Sequence, residues 1–415
     1  MLKVRPSVRK LTSAFIAALA LLPGLAIEQE LQLDYRINEH IVLIPAGQDH
    51  QARLETTVFQ PNGPGPFPLI IINHGKDPGH PNLQPRDRFY HMAHAFVERG
   101  YAVMVPMRQG FANSTGSYHD HGCDMTANGY TQAEDIRATL AYARDQKWVD
   151  ADRIVVAGQS YGGLATMALG TEDLPGVRGL INFAGGLRDD SNGCGWRSAL
   201  VSAFADYGAQ NKVPSLWMYG QNDSLFSPEL VARMHDAFEQ AGGRAQLVEY
   251  APFKRDSHGM LASRDGEKVW LADTMRFLQQ VGMPTKVVYR VPEPPQPQAT
   301  NFAGIEDADA VPFLSENGRR AYREYLTKMT PRAFAVSPSG SWCWAEEGED
   351  PEARALATCS AKSDKPCRLY SVDENVVWNP DLAEKAAVTA SNTPAPAASP
   401  ADGAVGNAAG VTAAN

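Results

Sequence analysis

The chain has 415 residues, 44% of them hydrophobic and 20% charged, with a formal net charge of −9 at pH 7. That length and apolar content suffice for a sizeable core plus an appendage. The acidic balance, with no basic cluster against it, excludes nucleic acid or an anionic lipid surface as the principal partner.

Residues 1–26 begin with Lys3, Arg5, Arg9 and Lys10, run through a mostly apolar stretch at 11–22, break at Pro23-Gly24 and end on Leu25-Ala26. This is the pattern of a secretory signal peptide cleaved after Ala26, and it predicts an exported protein, periplasmic or secreted. The apolar run is short for a span and no other stretch approaches ~18 consecutive apolar residues, so no permanent membrane anchor is expected. From 27 to 285, apolar strand runs at 69–72, 101–105, 154–157, 179–183, 216–219 and 247–250 alternate with helical patterns at 91–99, 132–146, 164–169, 228–241 and 266–281. The alternation predicts an α/β domain with a mostly parallel central sheet, helices on both faces and a site at the carboxyl ends of the strands.

The chemistry-bearing residues fall at those ends. The strand at 67–73 runs into His74-Gly75-Lys76, where a loosened turn presents the Lys76 N–H as an oxyanion donor and leaves His74 a structural role. Residues 108–118, a glycine-rich loop after the next strand, read equally as a pocket wall or a plain connection. His119 and His121, with Asp124 nearby, form a weak divalent-metal pattern better read as loop surface. Gly158-Gln159-Ser160-Tyr161-Gly162 then joins a strand to a helix through a sharp turn that lifts the Ser160 hydroxyl, with the Tyr161 N–H as a second oxyanion donor. Asp223 leaves the strand at 216–219, and His258 follows the strand at 247–250, with Asp256 a rival carboxylate beside it. A serine hydroxyl needs an imidazole to take its proton, and the imidazole needs a carboxylate to fix its tautomer. Ser160, Asp223 and His258 are therefore the expected nucleophile, acid and base, and such a triad calls for no metal or cofactor.

Over about residues 50–282 these motifs resemble the α/β-hydrolase superfamily, and within it the dienelactone-hydrolase-like and prolyl-oligopeptidase-like bacterial proteins. The resemblance implies an α/β-hydrolase fold and carries the triad to Ser160, Asp223 and His258, and the oxyanion donors to Lys76 and Tyr161. Dienelactone hydrolases proper use a cysteine nucleophile, so with Ser160 their specific substrate does not carry over. The function expected is cleavage of a small-molecule carboxylic ester through an acyl-enzyme. The rivals are a prolyl-oligopeptidase-type peptidase acting on short peptides and a cell-envelope binding protein that uses the fold as a platform.

A proline-rich linker at 286–302 separates this domain from a small cysteine-containing module at 303–380, which looks like the appendage of exported bacterial hydrolase-like proteins and has no assigned partner. Because all expected catalytic residues precede the linker, a chain ending near Pro292 is expected to keep activity. Residues 381–415 are rich in alanine and small polar residues, with no aromatic, and are expected to be disordered. Cysteines in an exported chain suggest disulfides, Cys123 with Cys194 and Cys359 with Cys367, leaving Cys343 over.

Overall fold

The computed structural model describes residues 33–380, apart from 48, 49, 78, 192, 293–295 and 347–349. The signal segment at 1–26 and the tail at 381–415 lie outside the described residues.

The elements run β1 (His40–Ala46), β2 (Ala52–Phe59), β3 (Phe67–Asn73), α1 (Tyr90–Val97), β4 (Ala102–Pro106), α2 (Met125–Arg144), β5 (Val149–Gln159), α3 (Tyr161–Leu169), β6 (Val177–Phe183), α4 (Trp196–Gln210), β7 (Ser215–Gly220), α5 (Pro228–Gln240), β8 (Ala245–Tyr250) and α6 (Arg264–Gln280). Among the described residues the strands form one eight-stranded sheet in the order β1-β2-β4-β3-β5-β6-β7-β8. β1, β2 and β4 pair antiparallel, and every pairing from β4 through β3 to β8 is parallel. Parallel neighbours need crossovers, and the helices supply them on both faces. Successive side chains of a strand point to opposite faces. Thus Ile71, Ile154 and Val156 enter the core under α2 to α5, while Ile70, Ile72, Val155 and Ala157 enter the core under α1 and α6.

The described residues beyond α6 form α7 (Glu316–Tyr325), β9 (Arg332–Val336), β10 (Trp342–Glu346), α8 (Pro351–Ser360), β11 (Arg368–Val372) and β12 (Asn375–Val376), with an antiparallel sheet ordered β10-β9-β11-β12. One face buries Tyr322, Tyr325, Phe334, Tyr370 and Trp378, and the other packs Ala333, Ala335 and Val372 against α8. Arg332, fully buried, donates to the carbonyls of Tyr325, Leu326 and Lys328, closing the end of α7 where carbonyls lack helical partners.

Described residues of the 286–302 segment are pinned at both ends. Val291 donates its N–H to Glu98 and accepts from His94 at 2.6 Å, and Thr300 donates its N–H to the Val376 carbonyl. The module packs on the larger domain: Arg255 donates to the Leu326 carbonyl at 2.7 Å and Arg88 to Asp350 at 3.0 Å. The described residues from Leu33 to 380 belong to one compact unit.

Candidate active site

The turn after β5 is strained. Ser160 has φ 54° and ψ −122°, a region that a residue with a side chain occupies only when its surroundings force it. Two close approaches do the forcing. A Cβ at Gly158 would collide with the Gly162 carbonyl, and one at Gly162 would collide with the Asn73 carbonyl at the end of β3. Glycine at both positions lets α3 press onto β3 and β5, leaving Ser160 half-buried at the apex with its Oγ free of any hydrogen bond among the described residues.

Asp223 follows β7 on a turn that it fixes itself: Oδ1 accepts the N–H groups of Leu225 at 2.9 Å and Phe226 at 3.0 Å. Its Oδ2 lies 2.9 Å from Nδ1 of His258, which sits on the 3-10 turn Ser257–Gly259 after β8. Both side chains are buried, and the Phe226 ring lies 5.6 Å from the imidazole. The Nδ1–H bond to the carboxylate leaves Nε2 as the acceptor. Burial pushes the His258 imidazolium toward losing its proton, but the Asp223 charge and hydrogen bond outweigh it and hold the pKa above its ordinary value. Asp256 faces backbone instead: its Oδ1 accepts the N–H groups of His258 at 2.9 Å and Ser224 at 3.2 Å.

The end of β3 meets the serine turn directly, since a Cβ built on Gly75 would stand 3.2 Å from Cβ of Ser160. The N–H groups of Lys76 and Tyr161 have no acceptor among the described residues. His74 is fully buried, with Nδ1 2.7 Å from the Gly75 carbonyl and Nε2 accepting the Arg108 N–H at 3.0 Å. Burial, reinforced by the Arg108 charge, holds its pKa well below the usual range, so it stays neutral.

Cys123 and Cys194 form a disulfide that joins the loop before α2 to the loop before α4, and Cys359 is bonded to Cys367. Cys343 is a free thiol. The histidine loop beside Cys123 serves local structure: His121 Nε2 lies 2.8 Å from Thr131 Oγ1, and Asp124 caps α2 through the Ala127 N–H. Among the described residues no helix is long and apolar enough to cross a membrane. The two disulfides are compatible with an oxidising compartment.

Sequence reasoning missed Arg108 and Gln159. Residues 108–118 read from sequence as a pocket wall or a connecting loop, whereas the Arg108 guanidinium is fully buried at the back of the β3 turn. Gln159 donates Nε2 to the His258 carbonyl at 2.8 Å. A buried-strand pattern ending in an arginine was the available signal for the first. None existed for the second.

The family model for X-Pro dipeptidyl-peptidase (S15 family) matches residues 49–196, a stretch that includes Lys76 and Ser160 and ends before Asp223. The chain is 29% identical over 116 residues to the quorum-quenching protein AidA of Acinetobacter baumannii (strain MDR-ZJ06), covering 28% of this chain and 35% of that protein. It thus spans about a third of the length of the curated relative it matches. Among solved structures it is similar to an esterase from Pyrococcus furiosus, with a TM-score of 0.44 at 16% identity over 59% of this chain and 91% of that one. Dipeptidyl peptidase 4 from Porphyromonas gingivalis gives 0.44 at 16% identity over 58% and 35%. With its sheet order and its strand–turn–helix at Ser160, the chain has an α/β-hydrolase fold, and the S15 family match runs across that turn.

Proposed function

We propose that the chain is a serine hydrolase that cleaves carboxylic esters, with Ser160 as nucleophile, His258 as base, Asp223 as its orienting acid, and the N–H groups of Lys76 and Tyr161 as the oxyanion hole. The observation that carries this reading is the buried 2.9 Å contact between Asp223 Oδ2 and His258 Nδ1 at the sheet edge that also holds the strained Ser160. In the first step Ser160 Oγ bonds to the acyl carbon, its proton passes to His258 Nε2, and the carbonyl electron pair moves onto the oxygen facing the two N–H groups. The carbonyl reforms, the alcohol leaves with the proton from His258, and water repeats the sequence to release the acid. An alkoxide leaves more readily than an amide nitrogen, so an ester asks nothing of this site beyond these parts. The exported address follows from the same reading, with both disulfides formed in an oxidising compartment.

The S15 match favours a second reading, cleavage of short peptides after proline. One experiment separates the readings. Purified protein is labelled with a fluorophosphonate, then assayed on p-nitrophenyl esters of increasing acyl length and on X-Pro p-nitroanilides. Labelling at Ser160 with ester turnover supports the proposal, and turnover of the anilides alone supports the peptidase. Absence of any labelling sinks both and leaves the fold as a binding platform.

A further inference from the structure

We propose that Arg108 is the positioning residue of the oxyanion hole, one buried guanidinium that orients both donor-bearing residues. The inference rests on the serine-hydrolase reading above. Arg108 follows β4 and is fully buried, yet no carboxylate of the described residues lies within ion-pair distance of it. A buried charge is costly unless its donors are satisfied. Here they are spent on main chain: Nη1 donates to the His74 carbonyl at 2.5 Å and Nη2 to the Gly75 carbonyl at 3.1 Å, while Nε donates to Gln132 Oε1 at 2.8 Å.

The geometry of the peptide unit turns this into a statement about the site. In a planar trans peptide the carbonyl and the following N–H point in opposite directions. With the Gly75 carbonyl held toward Arg108, the Lys76 N–H of the same peptide is aimed away from it. The neighbouring peptide is fixed through the His74 carbonyl, so the turn cannot rotate about Gly75 alone. His74 adds to the clamp, its Nδ1–H reaching the same Gly75 carbonyl. Ser160 is beside this turn, as the close approach of Gly75 to its Cβ requires.

The other donor residue packs its ring against the same group. The guanidinium lies 5.4 Å from the centroid of the Tyr161 ring and 5.3 Å from that of Phe111, the cation–π range. Tyr161 carries the second N–H. Rigid donors aimed before the charge develops are what an oxyanion hole needs, and a single side chain holds the Gly75–Lys76 peptide that carries one donor and packs on the ring of the residue that carries the other.

The test compares wild type with Arg108→Met and Arg108→Lys on a p-nitrophenyl ester, together with inhibition by a trifluoromethyl ketone. The ketone adds to the serine and places an oxyanion in the hole. Arg108→Met is expected to lower kcat by about 100-fold, the scale of losing one oxyanion donor, with KM within about threefold and ketone affinity falling in step with kcat. Arg108→Lys, which reaches one carbonyl and not two, recovers part of both. An Arg108→Met protein with wild-type kcat overturns the inference. So does one whose melting temperature falls while ketone affinity relative to substrate is unchanged, because that is a structural role only. If Arg108→Met does not fold, Gln132→Met, which keeps the guanidinium and removes its Nε partner, is expected to lose about tenfold in kcat at unchanged KM, and wild-type behaviour there overturns the inference. Wild-type protein that neither labels with fluorophosphonate nor turns over ester fails the hydrolase reading itself, a result distinct from a reactive wild type with an indifferent Arg108.

Discussion

Gln159, the residue before the candidate nucleophile, is joined by its side-chain Nε2 to the main-chain carbonyl of His258 across a separation of 99 residues. The serine turn and the histidine loop are thus registered by a contact that belongs to neither reacting side chain. Replacing Gln159 with methionine keeps the volume and removes the donor, leaving a buried carbonyl unsatisfied. Stability is expected to fall by about 1–3 kcal/mol, and kcat by between about 10- and 100-fold, since a displacement of about an ångström is enough for that. Urea melts run beside steady-state assays check both.

The two carboxylates near His258 are expected to separate cleanly. Asp223→Asn leaves the shape of the turn but offers an amide to Nδ1, and a loss in kcat of about 10⁴-fold is expected, as for an imidazole held in the wrong tautomer. Asp256→Asn keeps an oxygen for the N–H groups of His258 and Ser224, so less than a tenfold change is expected. Ser160→Ala and His258→Ala abolish turnover above the level supplied by binding and the oxyanion hole. Ester kinetics on the four proteins, with circular dichroism to confirm folding, decide the assignment.

The pH profile follows from the His258 environment. Only the neutral imidazole accepts the serine proton, so kcat/KM rises with pH, and because Asp223 holds the pKa above its ordinary value of 6.5, the midpoint lies on the alkaline side of 6.5. In Asp223→Asn the two larger raising causes are removed while burial and the weaker Asp256 charge remain, and the midpoint of the residual activity moves to lower pH. The stability consequence has a definite sign: the protonated His258–Asp223 pair stabilises the fold fully below the unfolded pKa, and that contribution is lost as pH rises through the folded one. Profiles of kcat/KM and of melting temperature against pH check the two directions.

The segment ending near Pro292, expected from sequence to be self-sufficient, is expected from the structure to be impaired. A Cβ on Gly259, next to His258, would lie 2.9 Å from the Thr330 carbonyl, and Arg255 of the same loop bonds to the Leu326 carbonyl and pairs with Glu306. Truncation after Pro292 removes all of these contacts at once. A lower melting temperature and at least a tenfold loss of ester turnover are expected, measured against the intact chain.

The core strands were legible because they are continuous apolar runs buried on both faces, as Phe67–Asn73 and Ser215–Gly220 show. β2 was not, because Glu55 and Thr57 are polar yet buried, satisfied by Asn113 and Arg86 from distant segments. α4 was overlooked although Leu200, Ala203, Phe204 and Tyr207 recur at helical spacing, since Gly193 and Gly195 before it and Gly208 within it read as loop. The order of Ser160, Asp223 and His258 was visible from motif and strand position, and the fold brings the latter two into contact. Arg108 and Gln159 act through main-chain carbonyls, which carry no residue identity, so nothing in the sequence marks their partners.

β9 lies in the middle of the smaller sheet, and its neighbour β11 comes from residues 368–372. Thr330, which abuts the histidine loop, stands two residues before β9. The support behind His258 is therefore assembled from nearly the last described residues to leave the ribosome, after the whole of the larger sheet has been made. A message cut short before β11 would yield a product with an intact Ser160 turn and an unsupported base, so a working site waits on synthesis of the smaller sheet.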